Sequence, residues 1–205
     1  MPTRPDLARV LDALEKLHGA PRPPPTTDPL ELVLWKNVAY LADDQRRDDA
    51  FRALKKRVGT RPAQILSARG EVLLEIARAG IVAGGSVDKL RRTATIALEQ
   101  FGGDVRAAVK RPLPEARKAL MKFPSIGAPG AEKILLLSRS HPVLGLDSNG
   151  LRVLLRLGYG REAKGYAHLL LRRHGQTLCR RSRPRCEACP VAEVCGYYRA
   201  ARRSR

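Results

Sequence analysis

Apolar residues recur every three or four positions along most of the chain, and strict alternation of apolar and polar residues is almost absent. The first such stripe consists of Leu7, Val10, Leu11, Leu14 and Leu17. This spacing places apolar side chains on one face of a helix, so it predicts an amphipathic α-helix. The same period predicts further helices over residues 30–41, 51–58, 72–79, 90–101, 114–123, 130–137, 149–157 and 162–173. The predicted fold class is therefore all-α.

Segments rich in glycine and proline separate these helices. The run GAPRPPPTTDP at residues 19–29 predicts a linker, because both residue types interrupt a helix. The basic residues 199–205 are predicted to form either solvated coil or an arm that binds phosphates.

The chain carries a large excess of positive charge, with 39 Lys and Arg against 20 Asp and Glu and a formal net charge of +19. The excess is concentrated in residues 151–205, which hold 14 basic and 3 acidic residues together with all four cysteines. A composition biased toward arginine, with solvated charges, is one explanation. The uneven distribution favours another, a polyanionic partner such as nucleic acid.

The N-terminal sequence lacks the apolar stretch of a signal peptide, and no run of 18 apolar residues occurs. We therefore expect an intracellular protein, cytoplasmic and associated with the nucleoid, that has no membrane partner and is a monomer. In a reducing compartment, clustered cysteines favour metal ligation over disulfides.

Four cysteines form a tight cluster near the C-terminus. They are Cys179, Cys186, Cys189 and Cys195, with gaps of six, two and five residues. Four thiolates at this spacing can surround either a zinc ion or an iron-sulfur cluster, and two disulfides are the competing arrangement. Four basic residues, Arg180, Arg181, Arg183 and Arg185, lie between the first two cysteines and would present charge to phosphates.

The segment at residues 113–138, LPEARKALMKFPSIGAPGAEKILLLS, predicts two helices joined by a glycine-containing hairpin. Backbone N–H groups of Ser125, Gly127 and Gly130 would face a phosphate at the start of the second helix. An ordinary connection between two helices is the alternative.

Asp147 begins the motif DSNGLR, which precedes a predicted helix. Asp is a good N-cap residue, so a structural role is one interpretation. A carboxylate can also stabilise positive charge that develops on a sugar, or activate a nucleophile. The two roles are compatible.

Together, the cysteine spacing, the hairpin and the Asp147 motif resemble the endonuclease III family of DNA glycosylases and its adenine-glycosylase relatives. The resemblance implies a two-lobed, all-α helix-hairpin-helix fold with DNA crossing the cleft between the lobes. A helical barrel would span residues 28–141 and include the hairpin. Residues 1–27 and 142–205 would form a lobe with a 4Fe-4S cluster in the loop at residues 179–195.

The same resemblance implies a function. The partner would be double-stranded DNA with a damaged or mispaired base, which is flipped out before its N-glycosidic bond is hydrolysed. Asp147 would be the catalytic carboxylate, the four cysteines would hold the cluster, and the arginine loop would contact DNA.

The chain departs from the family at Pro129, which aligns with the lysine that gives bifunctional members their strand-cleaving activity. Since proline has no such amine, we expect a monofunctional glycosylase that uses water. One alternative is a non-catalytic protein that binds lesions. Another is a bifunctional glycosylase and AP lyase that uses a displaced lysine such as Lys133, one helical turn further on.

The helix predicted at residues 30–41 supplies pocket or wedge residues in this superfamily. The candidates in this chain are Lys36, Asn37, Tyr40 and Leu41, of which Leu41 stands where some members have glutamine. Tyr40 would stack on an extruded base, whereas Trp35 is expected in the core. The competing interpretation is an ordinary surface face of a helix.

Overall fold

The computed structural model describes residues 5–40, 42–143, 145–159 and 167–203, without the side chains of residues 167–169 and 203. The described residues form α-helices and no β-strand. The helices are α1 (Leu7–His18), α2 (Pro29–Val38), α3 (Asp44–Arg57), α4 (Pro62–Ser67), α5 (Gly70–Ala77), α6 (Ala83–Phe101), α7 (Arg106–Val109), α8 (Leu113–Leu120), α9 (Ala128–Leu137), α10 (Ser148–Leu157), α11 (Ala167–Thr177) and α12 (Gly196–Arg203). A short 3-10 turn spans Cys186–Ala188.

The chain divides into two compact units. The hairpin unit comprises Pro24–His141, and the cysteine unit combines Met1–Pro23 with Pro142–Arg205. The cysteine unit is thus built from two segments that are distant in sequence.

The hairpin unit packs its helices around buried aliphatic residues and Phe51, which is 1% exposed. Helix α6 contacts α2, α4 and α5. The start of α2 is fixed by Asp28, whose carboxylate accepts from the Glu31 N–H at 3.0 Å, and by Pro29 in the first turn. Glu31 accepts in turn from Thr26 at 2.6 Å and Lys55 at 2.9 Å, so the preceding linker and α3 are bound to α2.

The cysteine unit is organised by α10 and α11, with α1 packed against α11. Its core contains Leu14, Leu154 and Leu170, each fully buried. The backbones of α10 and α11 come very close, since a methyl group at Gly175 would lie 2.7 Å from the carbonyl oxygen of Asn149. Glycine at position 175 therefore sets the spacing of the two helices.

The all-α prediction is confirmed, and the periodic stripes locate most of the longer helices. The helices α4 and α7, with six and four residues, were not predicted, because so few residues give no measurable period. The start of the helix predicted at residues 162–173 falls outside the described residues, and α11 continues to Thr177.

Two other expectations need correction. Residues 199–203 belong to α12 and do not form coil, because Tyr198 packs against the core of the cysteine unit, while their role as an arm that binds phosphates stays a prediction. Trp35 is only half-buried, and its indole N–H donates to Asp48 Oδ1 at 2.7 Å. Among the described helices, none combines the length and apolarity needed to cross a bilayer.

Candidate functional site

The hairpin between α8 and α9 is anchored by two apolar side chains and turns through a strained residue. Phe123 and Ile126 are 2% and 4% exposed, whereas Ser125 between them is exposed. Ser125 has a φ of 59°, in the left-handed region that favours glycine. Serine occupies this left-handed position at a conformational cost.

The N-cap of α9 is Gly127, which has no side chain to cap the helix. Among the described residues no side chain caps this first turn, and this end of a helix attracts anions. Gly127 is exposed, but Gly130 is buried, so a phosphate would meet the turn at its outer residues. Pro129 is exposed and contributes neither an amine nor an N–H.

Asn37 joins α2 to this hairpin. Its amide nitrogen donates to the carbonyl oxygens of Val33 and Pro124, each at 3.1 Å, and the residue is 0% exposed. The expectation that Asn37 faces a base is therefore corrected. The side chain lies inside the hairpin unit and holds the hairpin in place, although its Oδ1 is buried without a hydrogen-bond partner.

Lys36, the neighbouring residue, reaches the same hairpin. A methyl group at Gly130 would lie 2.7 Å from Lys36 Nζ, so the amine occupies the space that a side chain at position 130 would need. Lys36 and Lys133 are both half-buried. The structure thus brings Lys36, Gly127 and Gly130 together around the first turn of α9.

The other proposed pocket residues lie near the end of α2. Tyr40 is 36% exposed, and Lys89 Nζ lies 3.6 Å from the centroid of its ring. This cation occupies one aromatic face and leaves at most the other for stacking. Leu41 lies outside the described residues.

Ile81, which the sequence did not single out, lies beside Tyr40. Its N–H donates to the Tyr40 carbonyl at 3.0 Å, and its side chain is 74% exposed. Val82, the next residue, is also exposed at 51%, so two aliphatic side chains are presented on this turn. The only sequence signal was a pair of apolar residues, Ile81 and Val82, between glycines.

Asp147 is the N-cap of α10, as its helix-capping interpretation predicted. Its Oδ1 accepts from the N–H groups of Asn149 and Gly150, both at 3.0 Å. Its Oδ2 accepts from Arg172 Nε on α11 at 2.6 Å. The carboxylate is 19% exposed and held in one orientation by three donors. Such a group can stabilise nearby positive charge without reorganising.

Arg152, one turn into α10, connects this corner to the cysteine loop. Its guanidinium donates to the carbonyls of Gly175 at 2.6 Å and Cys179 at 2.8 Å, and to Asn149 Oδ1 at 2.9 Å. A single side chain therefore fixes the start of α10, the end of α11 and the first cysteine relative to one another.

The four cysteines line one pocket of the cysteine unit, and all have free thiols. Disulfides are therefore not formed. Within the described part of the chain, no three or more His, Cys, Asp or Glu side chains form a group that could hold a single metal ion. A zinc site draws its sulfurs to about 2.3 Å from one centre, whereas a four-iron cluster offers a separate corner to each thiolate. Four free thiols that line one pocket are a donor set suited to a metal centre.

Two cysteine thiols are held in environments that disfavour the free thiolate. Burial raises the pKa of Cys189 to about 11, and burial also raises the pKa of Cys186. A bound metal centre would supply the positive charge that offsets this effect.

Basic side chains, not predicted from the sequence, lie against the cysteines. Arg156 Nη1 donates to Cys179 Sγ at 3.2 Å, and His174 Nε2 lies 3.5 Å from Cys189 Sγ. His174 is 1% exposed, and burial followed by the charge of His18 lowers its pKa to about 4. Contacts of this kind orient metal ligands in proteins.

The loop that follows Cys179 presents its charge outward. All four arginines predicted to bind DNA are exposed: Arg180, Arg181, Arg183 and Arg185. The backbone N–H groups of Arg180 and Arg185 both donate to the Leu178 carbonyl, at 2.9 and 3.0 Å, which closes the loop. Arg181 also borders an open groove of about 930 Å³ that Arg152, Arg156 and Tyr197 line.

Comparison with known proteins places these features in context. No protein-family model matches the chain. Endonuclease III of Rickettsia conorii is 30% identical over 106 residues, which cover 42% of this chain and about half (49%) of that relative. Endonuclease III of Escherichia coli is 26% identical over 212 residues, covering 93% of this chain and 96% of the relative. A solved structure of a trapped endonuclease III–DNA covalent intermediate superimposes with a TM-score of 0.76 at 19% identity over 100% of both chains.

Proposed function

Because this chain is an endonuclease III-like protein with the helix-hairpin-helix glycosylase fold, we propose that it is a DNA glycosylase of base-excision repair. Its substrate would be duplex DNA in which a damaged or mispaired base is flipped out of the stack. The observation that carries the proposal is the Asp147 carboxylate, fixed at the start of α10 by two backbone N–H groups and by Arg172.

Asp147 would act on the sugar of the flipped nucleotide. As the base departs, positive charge develops on the deoxyribose, and a carboxylate held in place stabilises that charge. Water then adds to C1′ and loses a proton, which leaves an abasic site. Base release is hydrolytic in this proposal, since Pro129 offers no amine where bifunctional relatives have lysine.

Two segments would bind the DNA backbone. The uncapped first turn of α9 offers N–H groups to a phosphate, and the exposed arginines of the cysteine loop offer charged donors. Neither type of contact distinguishes one base from another. Exposed Ile81 is suited to enter between base pairs, as apolar wedges do when they unstack DNA.

Cys179, Cys186, Cys189 and Cys195 would hold a 4Fe-4S cluster, for which their shared pocket and free thiols are suited. The cluster would cross-link the loop that carries the arginines, so its contribution is a template for folding. Arg156 and His174 would hold two of the ligating sulfurs in position.

The test is Asp147→Asn in a single-turnover assay on duplexes with different damaged or mispaired bases, followed by hot alkali to reveal abasic sites. Asparagine caps helices about as well as aspartate, so the fold is retained while the charge is lost. We expect base release to slow by about 100- to 1000-fold. Asp43→Asn, at the exposed N-cap of α3, is the matched control. Equal rates in the wild type and Asp147→Asn would refute the proposed role.

A second candidate, a protein that binds lesions without excising bases, is favoured by one observation. Arg172 lies 2.6 Å from Asp147 and neutralises part of the charge that catalysis requires. If the wild type binds lesion duplexes tightly and releases no base from any of them, this candidate replaces the glycosylase.

A further inference from the structure

His174 connects the N-terminal helix to one of the cysteines. Its Nδ1 lies 3.2 Å from Nε2 of His18, the last residue of α1, and its Nε2 lies 3.5 Å from the Sγ of Cys189. The two imidazole rings meet edge to face, with their centroids 5.5 Å apart. Both ring nitrogens of His174 therefore have a polar partner, one on α1 and one in the cysteine loop, and all three residues belong to the cysteine unit.

The chemistry of the three groups determines where the protons lie. A cysteine sulfur that ligates a metal is a thiolate, which accepts hydrogen bonds and has no proton to donate. The hydrogen bond to Cys189 therefore requires a proton on His174 Nε2. His174 is 1% exposed, and burial disfavours a second proton that would give the ring a charge. Its Nδ1 then carries a lone pair, which accepts from the N–H of His18 Nε2.

His18 selects this arrangement of protons over the opposite one. A proton on His174 Nδ1 would turn the lone pair of Nε2 toward the negative sulfur, and the hydrogen bond to Cys189 would be lost. Which nitrogen of an imidazole is protonated depends on the hydrogen bond that the other nitrogen makes. By donating to Nδ1, His18 holds the proton of His174 on the side of the sulfur.

We propose that His18 is a positioning residue for the metal centre: through His174 it fixes a hydrogen bond to the Cys189 sulfur. The inference rests on the proposed 4Fe-4S cluster and goes beyond it, because it gives the N-terminal helix a role at the cluster. Hydrogen bonds to the sulfurs withdraw electron density and so raise the reduction potential of an iron-sulfur cluster. They also hold the ligand in its orientation, which slows the release of metal. The docking of α1 and the properties of the cluster are therefore coupled.

The experiment compares variants of the full-length protein that carry the cluster. Resonance Raman spectra report the stretching frequencies of the Fe–S(Cys) bonds, a redox titration gives the reduction potential, and a coloured chelator measures the rate of iron release. In His174→Leu, which removes the donor, we expect higher Fe–S(Cys) frequencies, a more negative reduction potential and several-fold faster iron release. His18→Leu should change all three in the same direction but less, because the donor remains and only its tautomer is no longer fixed.

Glutamine substitutions separate a relay from two independent contacts. In His18→Gln, the amide nitrogen replaces Nε2 as the donor to His174, so the wild-type reduction potential should be retained. In His174→Gln, the amide donates to Cys189 without support from α1. Adding His18→Leu to that variant should therefore leave the Fe–S(Cys) frequencies unchanged. A residue that only packs α1 against α11 would give the same effect of His18→Leu in both backgrounds.

Lys16→Leu, at an exposed position of α1, is the matched control and should leave the spectrum, the reduction potential and iron release unchanged. Urea unfolding shows whether each variant keeps its fold. Wild-type frequencies and potential in folded His18→Leu would overturn the inference, as would equal effects of His18→Leu in the two backgrounds. Wild-type protein without iron would refute the cluster and the relay together. Failure of the relay alone leaves the iron content at the wild-type level, so the two failures are distinguishable.

Discussion

The hairpin and the cysteine loop, the two segments proposed to bind the DNA backbone, offer different kinds of chemical group. The hairpin offers backbone N–H groups and takes its shape from buried Phe123 and Ile126. The cysteine loop offers charged side chains, and within it only a single 3-10 turn, Cys186–Ala188, is regular. A phosphate site built from backbone N–H groups requires a precise local fold but few charged side chains. A phosphate site built from arginine side chains requires that their loop be held in place.

The two segments therefore depend on different parts of the molecule. The hairpin is held within the hairpin unit by the buried side chains of Phe123 and Ile126 and by the hydrogen bond from Asn37 to the Pro124 carbonyl. The loop is closed by backbone hydrogen bonds to Leu178, and its four free thiols, two of which have raised pKa values, line one pocket. Changes to the metal site should affect the loop and leave the hairpin intact.

The largest effect is expected from Cys189→Ser. Loss of this ligand should remove the cluster, release the arginine loop and lower DNA affinity by tenfold or more, since each charge-assisted hydrogen bond is worth about 1.5–3 kcal/mol. Iron content, visible absorption and fluorescence anisotropy with labelled duplex measure the three quantities, and about four irons per chain are expected in the wild type. Ser67→Ala, in the hairpin unit, is the control. Normal iron content and affinity in Cys189→Ser would show that the loop does not depend on the cluster.

A smaller effect is expected when the charge is removed but the loop remains. The double variant Arg181→Gln and Arg183→Gln should weaken binding to all sequences and reduce the salt dependence of log Kd by about 0.9 for each phosphate that the loop no longer neutralises. The pair Arg91→Gln and Arg92→Gln, exposed on α6, removes the same charge elsewhere. If log Kd depends on salt concentration equally in the two double variants, the loop contributes to DNA binding only through net charge.

The smallest effect is expected at the hairpin turn. Ser125→Gly relieves a left-handed conformation that costs about 1–2 kcal/mol, although glycine loses about 0.4–1 kcal/mol through its more flexible unfolded chain. The net change should be a stabilisation of about 0.5–1 kcal/mol in urea unfolding. Ser67→Gly at the end of α4 should lower stability instead. If Ser125→Gly also destabilises the protein, the turn is not strained in solution.

The sequence predicted features that depend on neighbours along the chain. Helix α1, the Asp147 cap and the exposure of the arginines follow from local periodicity, capping and charge. The sequence could not predict that Asn37 is buried, because its partner, the Pro124 carbonyl, is 87 residues away. The proximity of Lys36 to Gly130 was missed for the same reason. Gly130 on α9 has no side chain, which leaves room for the amine of Lys36 on α2. The sequence pattern within either helix does not predict this contact.

The division of the cysteine unit into two sequence segments has a consequence for synthesis. His18 at the end of α1 and His174 on α11 are 156 residues apart, yet their rings lie within 3.2 Å. At ribosomal rates of about 5–20 residues per second, on the order of ten seconds or more pass between the synthesis of α1 and that of α11, against which it packs. During that interval the intervening hairpin unit can fold by itself, while Val10 and Leu14 remain without the core that later buries them. The nascent chain therefore exposes the apolar face of this amphipathic segment to solvent until the cysteine-bearing segment has been made.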